Sequence, residues 1–464
     1  MLEQFKNNTD VIIKETFYNC VICYQEGQCN ILEFMKDLYP KIQNDISTDL
    51  DMMFPGICKK IDNDKNLIAQ LVFSGIMVLK RNLNYYALDI SKSPTRKTQE
   101  SNIEAEGAFT ARDGFVENFK ENIALIRTRV KDSELIIDNY MVGRRSKTNI
   151  SLLYINDIHD RTMKYEIEKI IRKIDVDAII SAEDLMIYFK KNCIFPIYQY
   201  VGSPDLASRR LLNGEFLIII DRIAYAIVFP VTFTIQSRMG IDNMNVFFYP
   251  FFEKLFILLS IVISTIFLGV FCSFTTFQTN SLSLRIISIL KEHQRGIILP
   301  QFIEIFVVLS LLELFYLIGF RQPKTTISST VVLISGLIIG ENLVESGIAS
   351  VFVITFCAIS FLMTFVGTSN TTTIAAISSI RLICLISSLY FGLFGVLSTL
   401  IILFYFLYNQ KSLGVHYFYP FLPFDFKGII KFFRTNSSIK NIKRDKTMKV
   451  NNIYKKAKNN EKNN

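Results

Sequence analysis

Two glutamates stand inside a stretch that is otherwise apolar, where the chemistry open to them is the binding of protons or cations. Glu304 and Glu313 are the charged residues between Ile297 and Phe320. A charged carboxylate at the centre of a membrane helix costs about 2.5 kcal/mol or more, so each must face protein or water, or be neutral. Residues this far apart point to opposite sides of a straight helix. We therefore expect one to line a pore and the other to pair with Arg321 or Arg285; alternatively, either has no role in transport.

A histidine between carboxylates could in principle act as a base. His159 lies between Asp157 and Asp160, and a carboxylate can orient an imidazole for proton transfer. We instead expect Asp160 to cap the following helix and His159 to lie in a solvated loop. The sequence contains no phosphate-binding loop, dinucleotide-binding glycine motif, zinc-protease motif or nucleophile elbow. We predict that the chain is not an enzyme and needs no cofactor.

Cysteines are concentrated near the start of the chain. Cys20 and Cys23 have the spacing of half a zinc site, but no second closely spaced Cys or His pair follows them. We interpret them as small apolar residues on a helix around Phe17 to Tyr24, with a metal site as the alternative.

The distribution of charge indicates a membrane protein. Half of the 464 residues are hydrophobic, and only eleven charged residues occur between 255 and 408. The last 56 residues carry a net charge of +10, whereas the first 254 are nearly neutral at −2. The basic character therefore resides in the tail, and without a basic face in the first half we predict no binding of nucleic acid.

Four apolar segments could provide membrane helices. Leu255 to Phe274 is long enough to span a bilayer, and so is Ser379 to Tyr408, in which Arg381 could snorkel to one surface. Ile297 to Phe320 is a third. The fourth, Thr325 to Gly367, is too long for one helix and is divided by a polar break, so we expect a half-helix or hairpin there.

The first half has the pattern of an α/β protein. Apolar residues between Asp113 and Lys131 recur every three or four positions, as on an amphipathic helix. Strands are expected at Glu134 to Tyr140, Thr148 to Asn156, twice within Glu215 to Phe233, and at Leu71 to Lys80; helices at Thr162 to Ile174 and Ser181 to Lys190. Pro55-Gly56 predicts a turn.

These elements predict a cytosolic α/β half followed by an α-helical multi-pass membrane half. The expected domains are 1–106 and 107–250, two α/β subdomains, then 251–410, with about four full crossings and re-entrant or interfacial helices, and 411–464. The amphipathic segment Leu282 to Lys291 fits an interfacial helix. The segment Lys427 to Lys462 is expected to be unfolded and to lie in the cytoplasm or against anionic lipid. With no signal peptide at the N-terminus, both ends are predicted to be cytoplasmic, which requires an even number of crossings.

Several motifs occur in order along the chain. Long ones lie at Arg112 to Asn118, Asn122 to Arg127, Gly143 to Thr148 and Leu153 to Ile155. The positions of interest are Gly114, Glu117, Asn118, Arg127, Gly143, Ser146, Lys147, Thr148, Pro204, Asp205, Asp221, Arg321, Pro323, Gly340 and Gly347. Together, over about residues 107 to 430, they resemble the A-subunit family of bacterial spore germinant receptors, the GerA-type proteins.

The resemblance implies a membrane subunit of a nutrient receptor in the spore inner membrane. It implies a transporter-like B subunit and a C lipoprotein as partners, and a homo-oligomeric ring that conducts ions when a nutrient binds. Acids in the membrane half would then favour cations, with five pore or coupling candidates: Glu304, Glu313, Glu341, Asn342 and Glu345. Two alternatives remain, a subunit for germination ion release like the stage V AF protein, and a secondary transporter that uses Glu304 and Glu313 as ion carriers.

Overall fold

Two antiparallel five-stranded sheets organise the chain before residue 237. The computed structural model describes residues 5, 8–16, 20–44, 50–82, 84–93, 113–189, 193–236, 249–321, 336, 342–368, 370–434, 444 and 451–452. The strands are β1 (Val11–Thr16), β2 (Cys20–Gln25), β3 (Cys58–Ile61), β4 (Met77–Arg81), β5 (Asn84–Leu88), β6 (Leu135–Val142), β7 (Thr148–Ile155), β8 (Gln199–Val201), β9 (Phe216–Ile220) and β10 (Ala226–Phe229).

The two sheets repeat one topology. Their strand orders are β1-β2-β4-β5-β3 and β6-β7-β9-β10-β8, so both run 1-2-4-5-3 when the strands of each sheet are counted from its first. In each sheet, helices connect the second and third strands and one helix connects the third and fourth. The helices of eight residues or more in this half are α1 (Lys65–Val72), α2 (Phe119–Arg129), α3 (Arg161–Arg172), α4 (Ala182–Phe189) and α5 (Pro204–Leu212); shorter ones are Ile31–Glu33, Phe34–Leu38, Tyr39–Asn44, Leu50–Met53 and Phe233–Gln236.

Periodicity predicted most of the second sheet and its helices correctly. The apolar face expected around α2 is buried at Phe115, Ile123, Ile126 and Val130, which pack on the sheet. Asp160 caps α3 as predicted, accepting a hydrogen bond from the Thr162 amide at 2.8 Å. These elements begin and end where a cap or turn residue interrupts the apolar pattern.

Three predictions in the first half were wrong. Cys20 and Cys23 lie on β2 rather than on a helix, because β2 runs between β1 and β4 and needs apolar residues on both faces. Leu71 to Lys80 is the end of α1, a turn and β4, since both elements bury apolar residues without a visible break. His159 is only 4% exposed, not solvated, because its ring packs between Tyr154 and Phe216.

Helices account for most of the described chain after residue 248. They are α6 (Tyr249–Thr276), α7 (Leu284–His293), α8 (Gln301–Arg321), α9 (Val351–Gly367), α10 (Thr371–Phe391), α11 (Leu393–Asn409) and α12 (Phe426–Arg434), with a short 3-10 turn at Thr279–Ser281 and a small hairpin of β11 (Lys411–Ser412) and β12 (Val415–His416). Within the described residues, three helical segments are long and apolar enough to cross a membrane: Phe251–Thr276, Gln301–Ile318 and Thr371–Phe391. The apolar helices α9 and α11 are shorter.

The segment Ser379 to Tyr408 is two helices rather than the single predicted span. Gly392, at φ +56°, ends α10 and begins α11, and this left-handed conformation favours glycine. The break cannot be recognised from the sequence, because α10 and α11 have the same apolar composition on both sides of Gly392. The expected half-helix before Gly340 lies outside the described residues.

Part of the C-terminal segment that was expected to be unfolded is folded onto the rest of the chain. Residues 426–434 form α12, and Phe432 on it is 3% exposed. Further along, Arg444 donates to the Leu212 carbonyl oxygen at 2.8 Å, and Asn451 donates to that of His159 at 2.8 Å. The aromatic residues of α12 supply the apolar contacts that its basic composition obscured.

Candidate functional site

A buried ion pair joins the helices of the second half. Glu313 on α8 accepts hydrogen bonds from Arg381 and from Ser378, both on α10, through one carboxylate oxygen. Arg381 also donates to α9, to the Ser360 carbonyl oxygen at 3.3 Å and the Thr364 hydroxyl at 3.1 Å. The Arg381 side chain is 1% exposed and that of Glu313 is 21% exposed. One guanidinium therefore connects three helices.

The predicted partners of Glu313 were wrong, and so was the expected snorkelling of Arg381. Arg381 lies well inside α10 and contacts α8 and α9, whereas snorkelling would have carried its guanidinium to a surface. A basic residue within an apolar helix needs an acidic partner, and that rule could have paired Arg381 with a glutamate from sequence alone. The apolar sequence from Ser379 to Tyr408 conceals this, because it places Arg381 near the end of one long segment.

Glu304 serves the adjacent pair of helices, α8 and α9. Its Oε1 atom accepts hydrogen bonds from the Ser350 amide at 2.5 Å and the Ser350 hydroxyl at 2.6 Å. Ser350 is the N-cap of α9, where free amides and the helix dipole favour a negative charge. Glu304 is 1% exposed, and its Oε2 atom is buried without a hydrogen-bond partner among the described residues. Glu304 thus contacts the start of α9 and Glu313 contacts α10, in agreement with the expectation that the two acids point to opposite sides of α8.

The polar break after α8 packs against the start of that helix. Asn342 and Glu345 are exposed on a helical turn, and the Ile298 amide donates to the Gly347 carbonyl oxygen at 3.1 Å. A Cβ at Gly347 would lie 2.6 Å from the Gly296 carbonyl oxygen, so this close approach requires glycine. Glu341, Gly340 and Pro323 lie outside the described residues, and Arg321 ends α8.

A second buried ion pair joins the two sheets of the first half. Arg127 on α2 donates to both carboxylate oxygens of Asp10, at 2.9 and 2.8 Å, and its guanidinium lies 4.2 Å from the centre of the Phe73 ring. It also donates to the Leu135 carbonyl oxygen at 3.0 Å. The side chains of Arg127 and Asp10 are 0% and 3% exposed. This motif residue holds α2 and β6 against the first sheet.

Arg129 connects α2 to α5. It donates to Asp113 at 2.6 Å and to Asp205, a motif residue beside Pro204 at the start of α5. Burial opposes the charged form of Arg129, but the hydrogen bonds to Asp205 and Asp113 outweigh burial and raise its pKa.

The remaining motif positions in this half are turns and caps. Gly143 has φ +91° and a Cβ there would overlap the Ser146 hydroxyl, which accepts from the Ile179 amide at 3.2 Å. Asn118 caps α2 through the Lys120 amide at 3.1 Å. Gly114 forms a β-bridge, and Lys147 has a left-handed backbone with φ +46°. The Glu117 carbonyl oxygen accepts a hydrogen bond from the Arg222 amide, and the Asp221 amide donates to the Asn149 carbonyl oxygen. The Thr148 hydroxyl donates to the Ile179 carbonyl oxygen. Their roles in this structure are to shape the fold.

Comparison with known proteins identifies the family. The family model described as "Bacillus/Clostridium GerA spore germination protein" matches residues 1–447. Spore germination protein XA of Bacillus anthracis is 27% identical over 78% of this chain and 74% of its own length. Stage V sporulation protein AF of Bacillus subtilis is 29% identical over 74% of this chain and 69% of its own length.

Solved structures that resemble this chain include one of an N-terminal domain from a germinant receptor. It is the crystal structure of the N-terminal domain of the A subunit of the Bacillus megaterium spore germinant receptor GerK3, with a TM-score of 0.35 and 22% identity, covering 49% of this chain and 90% of that chain. The match of the family model to nearly the whole sequence makes the chain a member of the Bacillus/Clostridium GerA spore germination protein family.

Proposed function

We propose that this chain is a membrane-embedded A-type subunit of a germinant receptor, acting in spore germination together with B and C subunits. The observation that carries the proposal is the family match over residues 1–447, which includes both the soluble half and the candidate membrane helices. Relatives over more than two thirds of the chain are spore germination proteins by name. The proposal includes no catalytic step and locates the chain in the spore inner membrane.

The directions of the helices support a multi-pass arrangement with an even number of crossings. At the end of α6, Phe277 lies beside Gly392, the residue between α10 and α11. At the start of α6, Lys254 donates a hydrogen bond to the carbonyl oxygen of Phe432, which follows the β11–β12 hairpin in the chain. The hairpin residue Ser412 in turn accepts from the Val231 amide of the soluble half at 3.2 Å. Helix α6 therefore leads away from the soluble half, and α11 returns to it.

Helices α8 and α9 both run toward the soluble half. They begin together at the Glu304–Ser350 contact, Phe356 of α9 packs on Phe271 near the end of α6, and Gly367 at the end of α9 packs on Ile261, about midway along α6. Together with α10 and α11, these helices support a multi-pass arrangement. We propose an even number of crossings, about four, which keeps both ends of the chain on the cytosolic side.

In this proposal Glu313 and Glu304 are coupling residues. The Glu313 carboxylate is neutralised by Arg381, and Glu304 holds the N-terminus of α9. If the subunits form an ion-conducting ring, the helices that these acids join must separate or move together when the passage opens. This interpretation favours a gated assembly over a carrier, because a carrier needs acids that exchange their ion freely.

Deletion of the chain distinguishes the two candidate roles within the family. Spores that lack a nutrient receptor subunit lose the response to one class of nutrient and keep the others. If the chain is instead a general ion-release subunit, the alternative role, spores that lack it should respond to every nutrient more slowly. Unchanged germination with every amino acid, sugar and nucleoside tested would contradict both roles.

A further inference from the structure

Helix α12 lies where α6 begins. Lys254 Nζ donates to the Phe432 carbonyl oxygen at 2.8 Å, and the ring of Phe251 lies 5.4 Å from that of Phe433. The apolar candidate span of α6 starts at Phe251. If α6 crosses the membrane as proposed, α12 lies at the level of the lipid headgroups on the side of the soluble half.

The residues of α12 separate into two faces. At about 100° per residue, Phe426, Ile429, Ile430, Phe432 and Phe433 fall on one continuous arc. The three basic residues, at positions 427, 431 and 434, fall within about 60° of one another beside that arc. A helix with this pattern is typical of a surface that lies in a membrane interface.

The protein covers only part of the apolar face. Phe432 is 3% exposed, whereas Phe426 is 66% and Ile430 is 47% exposed. Phe424, before the helix, and Phe252 and Phe256, on the first turns of α6, are also exposed. An exposed aromatic cluster at the start of a membrane helix, beside a basic stripe, matches the acyl chains and phosphates of an anionic lipid surface.

We propose that α12 is an interfacial anchor for anionic phospholipid. Phe426 and Ile430 enter the acyl region, and the exposed Lys427 binds headgroup phosphates. This anchor would keep the link between α11 and the soluble half at a fixed depth. The inference rests on the proposed membrane insertion of α6.

The chain contains no tryptophan, so a single introduced tryptophan reports its own surroundings. Phe426→Trp in the full-length protein is reconstituted into vesicles of mixed phosphatidylcholine and phosphatidylglycerol, with bromine on the acyl chains of either lipid. We expect quenching of the tryptophan by both lipids and stronger quenching, on the order of twofold, when the anionic lipid carries the bromine. Ile430→Trp repeats the measurement in case Phe426→Trp does not fold.

A matched variant and a control separate the possible failures. Lys427→Glu, Lys431→Glu and Arg434→Glu together should abolish the preference for the anionic lipid. Val262→Trp, at an exposed position inside α6, should be quenched equally by both lipids; no quenching there would overturn the insertion of α6 itself. Quenching at 262 but not at 426 or 430 would mean that protein covers α12, and equal quenching at 426 by both lipids would remove the anionic specificity. Either result would overturn the anchor.

Discussion

Glu313 and Arg381 carry opposite charges among helices of mainly apolar side chains, with the hydroxyls of Ser378 and Thr364 as further polar partners. Removing one partner of a buried pair leaves the other charge without compensation, which is far more costly than removing both. The two are buried to different extents, since Arg381 is 1% and Glu313 is 21% exposed. The cost of losing each partner should therefore differ.

Glu313→Gln should destabilise the detergent-solubilised chain by about 3–5 kcal/mol, because it strands the buried guanidinium. Arg381→Gln should cost less, since the Glu313 carboxylate retains some access to solvent. The double variant should be more stable than the sum of the two single losses predicts. Thermal unfolding measures all three, with Arg285→Gln, on the exposed face of α7, as the control. Strictly additive losses would mean that the two side chains do not interact.

Burial lowers the pKa of His159, and the effect outweighs the hydrogen bond from its ring to the Ile155 carbonyl oxygen at 3.1 Å. A histidine whose folded pKa lies below its unfolded value of about 6.5 contributes stability above that pH. The contribution is lost as the pH falls through the folded pKa, because the unfolded chain then binds the extra proton.

His159→Phe should therefore lose less stability than the wild type when the pH is lowered from about 7.5 to about 5.5. Phenylalanine keeps the ring contacts to Tyr154 and Phe216. Melting temperatures at the two pH values test this, with the exposed His293→Gln variant for comparison. Parallel acid losses in His159→Phe and the wild type would exclude His159 as the cause.

At the scale of the elements, the tight connection between α10 and α11 depends on two glycines. Gly392 has φ +56°, and a Cβ at Gly395 would overlap the carbonyl oxygen of Ser387 on α10. The backbones of the two helices approach so closely that no side chain fits between them.

Gly395→Ala should destabilise the chain by about 1–3 kcal/mol, because the methyl group must push α11 away from α10. Ser398→Ala, in the same helix, removes only a hydrogen bond to the Gly395 carbonyl oxygen and is the matched control. Thermal unfolding in detergent compares the two. If Gly395→Ala melts with Ser398→Ala, the helices are not held at this distance.

Sequence patterns identified elements where one face is buried and the other is wet. Helix α3 has this pattern, with Met163, Ile167 and Ile171 buried on one face, and β6, β7 and α3 lie within a few residues of their predicted positions, whereas α2 begins at Phe119 rather than near Asp113. Periodicity did not predict β2 or the break between α10 and α11, because apolar residues there follow one another without alternation. The sequence identifies Glu304 and Glu313 and indicates that Arg381 needs an acidic partner, but which glutamate it contacts depends on how separate helices pack.

At the scale of the molecule, hydrogen bonds connect the segment after α11 to the α/β half before residue 237. The side chain of Gln410, just after α11, forms two hydrogen bonds with the backbone of Phe195. Its oxygen accepts from the Phe195 amide at 3.4 Å, and its nitrogen donates to the Phe195 carbonyl oxygen at 2.5 Å. The hydroxyl of Ser412 donates to the Ile197 carbonyl oxygen at 2.7 Å. Arg127 then holds the two sheets together. A movement of α11 would therefore act directly on the second sheet.

The proposed topology assigns opposite sides of the membrane to two positions. A reporter fused after Asn464 should be active only in the cytosol, because the basic tail stays on that side. Thr279→Cys, in the exposed turn after α6, should react with a membrane-impermeant reagent added outside, relative to the parent with its eight native cysteines. Labelling at 279 only after the membrane is opened would contradict the assignment.

The release of monovalent cations from single spores after addition of nutrient tests the central claim most directly. Spores with Glu313→Gln or Arg381→Gln should still insert the chain into the membrane yet release cations at an altered rate per inserted chain, since both variants break the same contact between α8 and α10. Spores with Arg285→Gln should release them as the wild type does. Identical release from wild-type, deletion, Glu313→Gln and Arg381→Gln spores, under every nutrient that triggers germination, would contradict a role for this chain in germination.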